Sequence, residues 1–152
     1  MTQAIKSKSL YDRDILLWVE DTVNKLRARD FEHLDLENLI EEVTSLGISQ
    51  KKELLSRLTT LLEHLLKRLY VISSNDYNGW ERTIRNQRTE LDILFSQVPS
   101  LKTEWQEKFD DSWRRSISKV KKEYRLVEFP LTWQYESDIE AILNTDFWEV
   151  ES

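Results

Sequence analysis

At 152 residues, with 39% hydrophobic and 33% charged side chains, the chain is long enough to bury a sizeable core and too apolar for a disordered segment. Its net charge of −6 argues against a general nucleic-acid binder, and zero cysteines exclude disulfide staples and thiolate metal sites while fitting a cytoplasmic setting. No run approaches the roughly 18 apolar residues of a membrane helix, and the lysine-containing start lacks the apolar stretch of a secretory signal.

Two glycines and two prolines are the only strong breakers, so long helices are expected. Residues 1–9 read as a frayed tail. A first helix is predicted from about Asp12 to Arg29, with Tyr11, Ile15, Trp18, Val19 and Leu26 on one face and Leu17 off it. Asp35 is a good N-cap for a second helix ending near Leu46, where Gly47 suits a left-handed stop. Its stripe is Leu36, Leu39, Ile40, Val43 and Leu46. Ser49 can cap a third, central helix to about Ile72, roughly 36 Å long at 1.5 Å per residue. Its leucines, from Leu54 to Leu69, make a stripe wide enough for two neighbours.

After a polar loop, Asn78 and Glu81 resemble a capping box opening a fourth helix that stops before Pro99. It would turn Trp80, Ile84, Leu91, Leu94 and Phe95 inward. Ser100 caps a fifth helix to about Val127. Its inward set, Leu101, Trp105, Phe109, Trp113, Ile117, Val120 and Tyr124, recurs mostly in steps of four and so winds around the axis. A short helix near Asp138–Asn144 precedes Phe147 and Trp148, which are expected to fold back. The prediction is a single all-α domain over residues 10–152: an up-and-down bundle of four main helices plus short ones, with its long central helix at about 49–72.

Polar residues near these apolar faces are the candidates for function. Gln87 falls in the middle of the fourth helix's apolar face, where a buried amide needs partners. His64 borders the leucine stripe beside Arg57 and Arg68, and Glu42 borders the second helix's stripe. With Arg88 they form a candidate cluster, either a structural network or a site in which His64 is acid or base, Glu42 its orienter and Arg88 an anion clamp. A di-metal bundle site needs Glu-x-x-His pairs, but Asp30 and Leu61 stand three residues before the two histidines. No metal and no cofactor are predicted. Arg114, Arg115, Lys121, Lys122 and Arg125 form a basic face that could meet phosphates or simply complement the helix dipole. Four tryptophans fall on core stripes, whereas Trp133 and Trp148 are the candidates for an exposed aromatic patch.

Several dispersed motifs in order carry a resemblance. They are Tyr11-Asp12-x-Asp14 with Trp18, the run Leu34 to Val43, Leu46-Gly47, and Ser56-Arg57-Leu58 leading into Leu61 to Lys67. Trp80, the run Thr83 to Arg88, Pro99-Ser100-Leu101, Phe129-Pro130 and Asp146-Phe147-Trp148 follow. On these residues the chain resembles the bacterial family catalogued as domain of unknown function 29, from Tyr11 to Trp148. The resemblance implies an all-helical domain without an established activity, and marks Glu42, His64, Trp80, Gln87 and Arg88 as motif positions. Asn38 stands where that family's pattern often has histidine, so half of any two-histidine site is missing here.

No nucleophile, base and orienter can be assembled, which argues against an enzyme. The leading expectation is a non-catalytic cytoplasmic interaction protein, presenting a helical face or the Trp133/Trp148 region to a protein partner or to itself. The alternative is a small-ligand binder or enzyme using Glu42, His64, Gln87 and Arg88. Nucleic-acid binding through the fifth helix is a third reading, and no membrane partner is expected.

Overall fold

The structure, a computed structural model, describes residues 9–149. The tail expected over residues 1–9 lies outside them except for Ser9. All regular structure among the described residues is helical: α1 (Leu10–Arg13), α2 (Ile15–Arg27), α3 (Leu36–Tyr70), α4 (Tyr77–Gln97), α5 (Trp105–Glu123) and α6 (Ile139–Asn144). Three 3-10 segments, Phe31–His33, Pro99–Glu104 and Phe147–Glu149, join them. No helix among these residues is long and apolar enough to cross a membrane. The fold is all-α, and its contacts divide the chain into two compact units, the first ending at Ile48 and the second beginning at Ser49.

Asp14 splits the predicted first helix. Its extended backbone, φ −156°, ends α1, and its carboxylate accepts from the backbone N–H groups of Leu16 and Leu17 at 3.2 Å each, starting α2. Ser9 caps α1 in the same way, accepting from Asp12 N–H at 3.3 Å. Arg29 takes φ +59° just beyond α2, supplying the left-handed turn without a glycine.

The break expected at Gly47 does not form. α3 runs unbroken from Leu36 to Tyr70, and neither glycine has a positive φ. An interior glycine costs about 1 kcal/mol against alanine, too little to stop a helix without proline or a left-handed cap residue. Good helix formers from Gln50 to Leu55 carry it onward. The predicted second and third helices are therefore one, and the central helix starts at Leu36 rather than near residue 49.

In the second unit the leucine stripe of α3 is the core. Leu54, Leu58, Leu61, Leu62, Leu65 and Leu66 are fully buried. α4 adds Ile84, Leu91, Leu94 and Phe95, and the chain beyond it adds Leu101, Trp105, Phe109, Ile142 and Phe147. Pro99 opens a 3-10 segment, so α5 starts at Trp105 and ends at Glu123 rather than running from Ser100 to Val127. Its buried residues are Trp105, Phe109, Ser112, Ser116 and Val120, a path with one step of three that keeps to a single face. The unbroken steps of four drift off that face, which leaves Trp113 and Ile117 half-buried. Ser112 and Ser116 replace them where a large side chain would not fit. The Ser112 hydroxyl donates to the Leu55 carbonyl of α3 at 3.4 Å, and that of Ser116 to the Ser112 carbonyl.

Candidate interaction site

The first unit is a helical hairpin. Asp35 begins α3, accepting from the Asn38 side chain at 2.7 Å and from its backbone N–H at 3.4 Å. The Asn38 bonds hold the Asp35 carboxyl below its ordinary range. Across the hairpin, the Tyr11 hydroxyl donates to the Glu42 carboxylate, and the Tyr11 and Trp18 rings meet edge to face at 5.0 Å. Glu42 thus anchors α1 to α3.

The Glu42 bond pushes the Tyr11 phenol from 10.0 up to about 12, with burial and nearby carboxylates adding to it. A raised pKa in the fold favours the protonated phenol. Its contribution to stability is whole below pH 10 and is lost as pH rises through about 12. Ultraviolet titration of the tyrosinates should show a step near pH 12 that disappears in Tyr11→Phe and moves down in Glu42→Gln. An unchanged step in Glu42→Gln would remove the carboxylate as its cause.

Trp18 and Thr22 are the buried residues of α2, and no other described residue of the first unit is buried. Twelve of the sixteen large hydrophobic side chains that are exposed among the described residues lie between Ile15 and Ile48. Leu16 is 75% exposed, Ile40 64%, Val43 60% and Leu46 67%. The stripes read from spacing are present, yet much of each faces outward. Between α2 and α3 lies a groove of about 290 Å³. Its apolar lining includes Val19, Val23, Leu26, Leu39, Val43 and Leu46, with Trp18, Thr22 and Glu42 at the wall. Glu42, held by Tyr11, is the one charged side chain in its lining. At about 100° per residue, α2's apolar arc spans roughly 160° and the first turns of α3 add one of about 120°.

The second unit holds the other polar candidates, each engaged differently. His64 is half-buried; burial pulls its imidazole below the ordinary pKa, and Nδ1 donates to the Thr60 carbonyl at 2.8 Å. Gln87 is half-buried and accepts from Arg57 at 3.4 Å, while Arg57 also reaches Glu53 at 3.1 Å and Glu90 at 3.6 Å. Arg88 closes the C-terminal segment, bonding the Ile142 carbonyl at 3.0 Å, the Asp146 carboxylate at 2.8 Å and the Thr145 carbonyl. Gln87 and Arg88 are neighbours in α4 but turn to different partners. Glu42 makes its bond within the first unit.

Trp133 is half-buried among Phe109, Trp113, Tyr135 and Phe147, with centroids 5.2–6.3 Å away, and its indole donates to the Glu136 carbonyl at 3.0 Å. Trp148, also half-buried, lies under the Arg68 guanidinium at 5.3 Å. The basic candidates Arg114, Arg115, Lys121, Lys122 and Arg125 are all exposed, and the first two share Asp111 at 3.1 and 3.3 Å. Arg125 lies beyond the end of α5. Among the described residues no three His, Asp or Glu side chains converge as metal ligands. Sequence reasoning missed Glu63, buried and paired with Lys119 at 3.3 Å. Its only signal was its place in the leucine run, between Leu62 and the boundary residue His64.

No match was found among curated proteins or solved structures. A family profile matches residues 10–148, spanning both units and nearly the whole described chain. The chain therefore belongs to the family described as Domain of unknown function DUF29.

Proposed function

We propose that the protein is a non-catalytic interaction module whose docking face is the outward apolar side of the α2–α3 hairpin. The observation that carries this reading is the concentration of exposed aliphatic side chains on the first unit. Hydrophobic side chains scattered singly are ordinary on a monomer's surface, whereas a contiguous apolar patch marks an interaction site. A groove between two helices, with Glu42 the one charged side chain in its lining, suits an amphipathic helix. The engagement of Glu42, His64, Gln87 and Arg88 with four different partners supports a structural role for them. The acidic, cysteine-free sequence fits a cytoplasmic setting.

The test is photo-crosslinking in native lysate, with the crosslinking amino acid placed at Ile40 on the hairpin or, as control, at Lys121 on α5. Adducts are expected at position 40 and not at position 121. No adduct at position 40, or equal yields at both, would overturn the assignment of the face.

A further inference from the structure

We propose that the partner covering the hairpin face is a second copy of this chain, packed about a twofold axis so that the two hairpins form an intermolecular four-helix bundle. This rests on the interaction reading above and names its occupant.

Area comes first. A standard stable interface takes roughly 800 Å² per partner, and the outward aliphatic side chains of α2 and α3, Leu16 at 75%, Ile40 at 64%, Val43 at 60% and Leu46 at 67% exposed, supply the apolar centre of one. An isologous contact buries the same patch twice, so no second surface of matching size has to be found elsewhere. The hairpin also lacks a core of its own: among its described residues only Trp18 and Thr22 are buried. A helix pair with so little buried apolar surface gains its stability from packing against further helices.

Charge chooses between copies and other apolar partners. In α2, Glu20 and Arg27 both flank the outer edge of the apolar arc, on the side where Val23 and Leu16 are exposed. A twofold axis perpendicular to α2, passing between Val23 and Asn24, sets the helix antiparallel to its mate. Glu20 of each copy then falls opposite Arg27 of the other, giving two symmetric ion pairs around an aliphatic centre. The rim of α3 carries Glu37 and Glu41, which would repel an anionic lipid surface. The same acids do not oppose one another if the two α2 helices meet at the axis.

Sedimentation equilibrium on the full chain tests this, with wild type, Val23→Glu, Leu16→Glu, Glu20→Arg, and Glu20→Arg combined with Arg27→Glu. Wild type is expected at twice 18.3 kDa. Val23→Glu should sediment as a monomer, with an unchanged far-ultraviolet circular dichroism spectrum as the check that the charge has not unfolded the hairpin, because Val23, 37% exposed, also lines the α2–α3 groove. Leu16→Glu, at a side chain 75% exposed, should weaken the dimer without that risk. Glu20→Arg should weaken the dimer about tenfold, and the charge swap should restore it to within about threefold. A dimer indifferent to Val23→Glu overturns the proposal, since it forms through another face. So does wild type that stays monomeric at about 100 μM. In that case the crosslinking at position 40 separates the two readings: adducts with other proteins keep the docking face and remove the second copy, whereas no adduct removes both.

Discussion

Arg88→Ala is expected to cost about 3 kcal/mol of stability and to lower the melting temperature by on the order of 10 °C in a chain of this size. The guanidinium side chain is 10% exposed and serves three acceptors at once: the carbonyls of Ile142 and Thr145 and the carboxylate of Asp146. Two of these are main-chain oxygens at the C-terminal end of α6, where helix carbonyls have no partner of their own. A planar fork satisfies them together, and its charge complements the negative end of the helix. Removing it strands the carbonyls and frees α6 and the Phe147 turn from α4. Lysine offers a single point of charge without the fork, so Arg88→Lys should recover only part of the loss. Thermal denaturation with amide exchange across α6 checks both statements. A shift below about 2 °C for Arg88→Ala, with α6 still protected, would show that the packing of Ile142 and Phe147 holds the segment without it.

Ser112→Leu is expected to destabilise the protein by about 3 kcal/mol, whereas Ser112→Ala should be close to neutral. Ser112 is fully buried and its hydroxyl bond to the Leu55 carbonyl is long, at 3.4 Å. The value of the serine lies in its size, which lets the α5 backbone approach α3. A leucine there must push the two helices apart or leave its rotamer well. Urea denaturation of the two variants separates the explanations. A large loss in Ser112→Ala would assign the position to hydrogen bonding instead, and a small loss in Ser112→Leu would mean the helices can part at little cost.

Helices were legible because their stripes and breakers are strong. Leu54, Leu58, Leu61, Leu62, Leu65 and Leu66 of α3 and the set Trp80, Ile84, Leu91, Leu94 and Phe95 of α4 are buried as the spacing predicts, while Leu55 and Leu69 at the stripe's edges are half-buried. Gly47 misled because a glycine permits a stop without imposing one. What decides is whether the next residue finds a left-handed cap or continues the helix, and that balance is worth only about 1 kcal/mol. Ser112 and Ser116 were invisible because a buried serine and a solvated one have the same spacing. Only the approach of α3 distinguishes them. The hairpin shows a deeper limit. Trp18, Val19, Leu39 and Val43 recur at helical intervals whether the stripe meets the chain's own core or someone else's. Periodicity reports that a face is apolar and says nothing of what covers it. His64 is half-buried, and so is Gln87, which the spacing puts in the middle of the fourth helix's apolar face; their partners, Thr60 and Arg57, follow from rotamers and helix rotation that no spacing encodes.

Trp18 is the only tryptophan in the first unit, where it is 4% exposed; the other five all belong to the second. The chain therefore carries its own two-channel optical label. With the five replaced by phenylalanine, the emission colour of Trp18 reports water entering the hairpin alone. With Trp18 replaced instead, fluorescence follows the aromatic nest around Trp133. Folding of the two units can be timed separately without attaching a dye.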